Sequence, residues 1–151
     1  IAGNCALLAR ALDLTPNGRF GQYDGVDIGV AGECDLLTST VLARADSFAR
    51  PLGGSARASL FDVGRRTKRW AIITGAGGGS REIDEARTRG IDTLIVGEGP
   101  HHATVSAPDA GIVVIFAGHY ATETVGVRAI AEMAGKHFSL PHKFLLVPTG
   151  S

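Results

Sequence analysis

The chain has 151 residues, 44% of them hydrophobic and 20% charged, which excludes a disordered polymer and fits a soluble globular protein. Lys+Arg and Asp+Glu number 15 each, so charge gives no reason to expect nucleic acid or an anionic membrane as partner. No apolar run approaches the roughly 18 residues that span a bilayer, no signal peptide is visible, and Cys5 and Cys34 are too few for a disulfide framework, which points to reduced thiols and a cytoplasmic protein.

In chain order, Asn4 is a candidate N-cap for a helix carrying Cys5, Leu8, Ala9 and Leu12 at helical spacing, closed by the turn Pro16-Asn17-Gly18. Phe20 to Tyr23 and Val26 to Val30 read as a hairpin around Asp24-Gly25. Leu36 to Ala49 reads as a second helix, and Arg50 to Ala58 as a loop with Pro51, Gly53 and Gly54. The run Arg65 to Arg69 reads as a solvated basic loop, with Trp70 to Ile73 behind it as a strand and Trp70 in the core.

From there strands and helices alternate: a turn from Thr74 to Gly79, a helix from Ser80 to Arg89, a strand from Thr93 to Val96, a short helix from Ala103 to Asp109, and a strand from Ile112 to Phe116. A last helix is expected from Thr122 to His137 and a last strand from Lys143 to Val147. The pattern predicts an α/β fold, a mixed sheet with packed helices. It divides into a helix and hairpin front segment, 1–60, and an α/β segment, 61–151.

Chemistry concentrates at strand ends. His119 and Glu123 lie four residues apart where the apolar run Gly111 to Ala117 gives way to a helix, with His119 expected at the strand end and Glu123 in the first helical turn. An imidazole and a carboxylate so placed can share a divalent metal; the alternative is that Glu123 caps the helix and His119 fills a pocket. His101 and His102 follow Glu98 after the Thr93-to-Val96 strand, at the same sheet edge; alone they read rather as an exposed polar loop, and it is the two loops together that point to a site. Gly75 to Gly79 opens a helix after a strand, a weak match to a dinucleotide-binding turn whose amides could hold an anion.

The runs ITGAGGG (Ile73 to Gly79), VGEGPHH (Val96 to His102) and AGHYATE (Ala117 to Glu123), with the opening GNCALLARALDL and the ending LVPTG, resemble the NIF-three-like dinuclear metal-centre family, the GTP cyclohydrolase I type-two homologues. The resemblance implies a two-metal site between α/β lobes in a toroidal homohexamer. It implies that His119 and Glu123 are metal ligands, that His102 transfers protons, and that Glu98 stands where relatives often have Asp. The ions would be zinc, manganese or iron, two per complete site. The family's other ligands, an amino-terminal His-His pair and an Asp-containing segment, would precede Ile1, so the sequence resembles the carboxy-terminal portion. The implied function is a metal-dependent hydrolase acting on a small-molecule or nucleotide-like substrate; the alternative is a ring-forming scaffold or metal-trafficking module.

Overall fold

The computed structural model describes residues 3–149. Its elements are α1 (Asn4–Ala11), β1 (Pro16–Tyr23), β2 (Val26–Leu37), α2 (Thr38–Ala49), a single 3₁₀ turn (Arg50–Leu52), β3 (Arg57–Ala58), β4 (Arg66–Ile73), α3 (Ser80–Thr88), β5 (Thr93–Val96), α4 (Ala103–Asp109), β6 (Val113–Phe116) and α5 (His119–Phe138). All six strands form one sheet in the order β1-β2-β4-β5-β6-β3. β4, β5 and β6 are parallel, and β1, β2 and β3 join antiparallel, so the α/β mixed sheet is as the sequence predicts. Strands from 1–60 and from 61–151 are interleaved in it: β2 pairs with β4, and β3 with β6.

Alternation along the strands builds two cores. Ile72, Ile95 and Ile115 face one way and pack with Leu8 and Leu12 of α1, Val41 of α2, and the fully buried Trp70. Ala71, Leu94 and Val114 face the other way, against Ile83 and Ala86 of α3 and Ala103 and Ala107 of α4. Helices therefore cover both faces of the parallel strands, and every residue of β5 and β6 is buried.

Several boundaries differ from the sequence reading, each for a local reason. Gly3 rather than Asn4 caps α1; the Asn4 side chain accepts the Gly126 amide at 2.8 Å and so ties α1 to α5. The turn after α1 is made at Asp13 (φ 54°), which frees Pro16 to Gly18 to pair with Gly32 and Ala31. Arg50 to Ala58 is not one loop, since Arg57 and Ala58 pair with Phe116 and Ile115. The basic run is mostly strand: Thr67 is buried, Arg66 pairs with Asp35, and Arg65 donates to the carbonyls of Asp92 and Gly111. The expected strand from Lys143 to Val147 does not form. Its backbone is irregular and lies along α5, with the Val147 amide donating to the Tyr120 hydroxyl (2.9 Å) and Arg128 over the Phe144 ring (5.2 Å).

Candidate functional site

Three loops leave the carboxyl ends of the parallel strands, where open α/β sheets keep their sites. They are 74–79 after β4, 97–102 after β5 and 117–118 after β6. Backbone hydrogen bonds bind them together: Glu98 N–H donates to Gly75 O (2.8 Å), Gly78 N–H to Glu98 O (3.1 Å) and Gly118 N–H to Gly97 O (2.9 Å). Thr122, fully buried, accepts the Gly75 amide on its hydroxyl oxygen at 3.0 Å and donates to His119 O at 3.1 Å.

On this base sit His119 and Glu123. Gly118 (φ 88°) turns the chain so abruptly that α5 starts at His119 itself, and Glu123 falls in the second turn instead of the first. No side chain caps α5, so Glu123 is not a cap. His119 Nε2 lies 3.3 Å from Glu123 Oε2, and its Nδ1 donates to Glu98 Oε1 at 2.8 Å. The Glu98 hydrogen bond holds the imidazole above its ordinary pKa, against burial, and Glu123 adds a Coulombic pull in the same direction as Glu98. With Nδ1 fixed as the donor to Glu98, the ring has two states. Protonated, it bridges two carboxylates; with Nε2 unprotonated, its lone pair and the Glu123 carboxylate face one point.

That second state fits a metal. Two donor atoms, each about 2.1 Å from one ion at a near-tetrahedral angle, lie about 3.4 Å apart, close to the 3.3 Å seen here. A carboxylate on the far ring nitrogen is the usual companion of a metal-binding histidine. Gly75 makes room for the pair: at φ 67°, a Cβ there would meet Glu123 Oε1 at 2.7 Å and His119 Nε2 at 3.3 Å. Glu98 faces the opposite edge of the ring, and no group of three or more His, Cys, Asp or Glu among the described residues is arranged to hold a metal. The fit is therefore that of a donor pair with an orienting carboxylate.

His102 stands apart from this pair. Its Nε2 lies 3.0 Å from Ser80 Oγ, across from the start of α3. His101 is exposed, and its carbonyl accepts from the Thr104 hydroxyl at 2.7 Å. The glycine turn is not an open anion cradle, because the Gly75 and Gly78 amides are taken by Thr122 and Glu98. The Glu82 carboxylate also closes on Gly79 at the helix start, 2.6 Å from where a Cβ would sit. Sequence reasoning missed Thr122 and Gly75 as builders of the site. Their only signal was position, one helical turn past His119 and the first glycine after β4.

Two clefts flank the pair. One, of about 310 Å³, is lined by His119, Glu123, Val127 and Phe144; the other, of about 390 Å³, lies on the Glu98 side and includes Arg57, Phe116 and Gly118. Among the described residues, no helix is long and apolar enough to cross a membrane.

Comparison with known proteins places the chain by sequence and by fold. The family model for Duf34/NIF3 (NGG1p interacting factor 3) matches residues 1–148. A Deinococcus radiodurans protein named GTP cyclohydrolase 1 type 2 homolog is 38% identical over 98% of this chain and 55% of its own length. A Halobacterium salinarum protein of the same name is 36% identical over 98% of this chain and 58% of its own. The chain thus spans a little over half the length of these curated relatives. Protein ybgI, a solved structure described as of unknown function, superposes with a TM-score of 0.83 at 28% identity, over 99% of this chain and 57% of that one. With a match across nearly its whole length, on a sheet whose strand-end loops carry the His119–Glu123 pair, this chain belongs to the Duf34/NIF3 family.

Proposed function

We propose that the chain supplies part of a dinuclear divalent-metal centre in a metal-dependent hydrolase. The observation that carries this reading is the His119 Nε2–Glu123 Oε2 separation of 3.3 Å, with the other ring nitrogen held by Glu98. His119 and Glu123 would hold metal, zinc, manganese and iron all suiting such donors. The remaining donors of a two-ion site would come from outside the residues described. Bound ions supply Lewis-acid activation of water and of an ester, amidine or phosphate group in a small-molecule or nucleotide-like substrate.

The chain's own residues do the rest. Glu98 fixes the imidazole tautomer and orientation. Gly75 and Thr122 lock the floor against which both donors rest. His102, steadied by the Ser80 hydroxyl, would carry a proton between the site and solvent.

The test is elemental analysis of the chain purified without chelator. We expect retained zinc, manganese or iron, lost on Glu123→Ala and weakened about 10–100-fold on Glu98→Gln. Metal content unchanged by Glu123→Ala would sink the assignment. We further propose a homo-oligomeric ring, supported by the exposed Ile130, Met133 and Phe138 on α5, and a cytoplasmic location, supported by the free thiols of Cys5 and Cys34. Light scattering that gives a monomer would remove the ring.

A further inference from the structure

The cleft on the Glu98 side holds a cation that nothing described so far uses. Arg57 lies on β3, the edge strand, directly opposite Phe116 of β6, and its guanidinium sits over the Phe116 ring at 5.3 Å from the centroid. The strand is pinned on both sides of it. Ala56 N–H donates to Asp46 Oδ1 (3.0 Å), Ser59 N–H to Val114 O (2.9 Å), and Val114 N–H to the Ser59 hydroxyl (3.0 Å). Arg57 is therefore presented from a fixed backbone and a fixed ring face, although its side chain is exposed.

The acids around it are already engaged. Asp46 is paired with Arg50, and Glu98 accepts from His119 Nδ1. Among the described residues Arg57 has no carboxylate within ion-pair distance, unlike Arg50 seven residues before it. Its planar fork is left facing a cleft of about 390 Å³ that also contains Ser55 and the backbone of Gly53, Gly54 and Gly118. That volume lies within the range of small-molecule sites and exceeds what a bare oxyanion fills. The cleft reaches Glu98, and through it the His119–Glu123 pair.

We infer that this cleft is the subsite for an oxyanion group, phosphate or carboxylate, on a small-molecule substrate, with Arg57 binding it through its paired N–H donors and Ser55 adding a hydroxyl. The inference rests on the metal-site reading for its claim that the bound molecule is a substrate; the anion site itself does not. A guanidinium stacked on an aromatic ring keeps its N–H edge free, so the ring contact orients the fork without consuming it. Bidentate, charge-assisted hydrogen bonds then favour an oxyanion over any neutral group of the same size.

The test is titration of the chelator-treated chain with inorganic phosphate and, separately, with formate, followed by amide NMR shifts. We expect saturable shifts at Ser55, Arg57, Glu98 and Gly118, with affinity at least 10-fold weaker in Arg57→Gln and intermediate in Arg57→Lys. Arg87→Gln, at an exposed position of α3, should leave the titration as in the unaltered chain. The tighter of the two anions identifies the group. Shifts that do not saturate, or an affinity equal in the unaltered chain and Arg57→Gln, would overturn the inference. Metal content of Arg57→Gln should equal that of the unaltered chain. If phosphate saturates the cleft while Glu123→Ala leaves metal content unchanged, the anion site stands and the metal reading falls.

Discussion

The parallel strands and the front hairpin share one sheet but treat their side chains in opposite ways. In β5 and β6 every residue is buried, because helices cover both faces. In β1 and the ends of β2, exposed positions dominate; Tyr23, Val26 and Ile28 all stand in solvent. A strand buried on both faces has no side chain to spare for chemistry, so function moves to the loops beyond its carboxyl end. The hairpin packs Phe20, Val30 and Ala31 against the helices and leaves its remaining side chains, at its turn and outer edge, mostly exposed. Positioning, more than exposure, separates the two regions.

The largest expected difference between the two regions lies in the core. Leu94→Ala in β5, fully buried, should cost about 3 kcal/mol by urea denaturation, whereas Val26→Ala, 60% exposed, should stay within about 0.5 kcal/mol. Equal costs would mean that the parallel half is not the structural centre. Glycines give the next contrast. Gly25→Ala, at φ 79° with nothing within 4 Å, should cost about 1 kcal/mol of backbone strain. Gly75→Ala carries the same strain and also drives a methyl into Glu123, so about 2–3 kcal/mol and a loss of retained metal are expected. A Gly75→Ala chain with full metal content would show that the floor of the site is softer than drawn.

Thr122→Val leaves the Gly75 amide without its acceptor and should cost about 1–2 kcal/mol. The smallest effect is on pH dependence. Because the folded pKa of His119 is raised, its contribution to stability is complete below the unfolded value of about 6.5 and fades as pH climbs through the higher folded value. In metal-free protein the urea midpoint should therefore drop slightly on the alkaline side, and His119→Gln should remove that drop. Metal should reverse the trend, since ion and proton compete for Nε2. A metal-free profile identical in both chains would mean that the Glu98 contact is not made in solution.

Much of this was legible in the sequence. The Thr93-to-Val96 strand and the Ala103-to-Asp109 helix stand where periodicity set them, and Asp24-Gly25 turns the hairpin. The segment around His119 was legible as chemistry but not as geometry. His119 read as a strand end and Glu123 as first-turn because Gly118 carries the whole turn, leaving His119 free to begin the helix. The Lys143-to-Val147 run failed for a different reason. An apolar run marks a strand only if a backbone edge is there to receive it, and this run is held by Tyr120 and Arg128 of α5 instead. Arg57 was hidden inside an apparent loop; only its pairing with Phe116, remote in sequence, reveals that it faces a cleft.

The interlocked loops also bear on how the molecule breathes. The Gly75 amide is buried beneath Thr122 and the Glu98 amide is held by Gly75, so neither proton can exchange with solvent unless α5 or a neighbouring strand end lifts away. Both should then exchange almost as slowly as amides in the middle of β5, far more slowly than is usual for loop residues. A site so built would meet a ligand as a rigid surface, and whatever moves on binding would have to be something other than its floor.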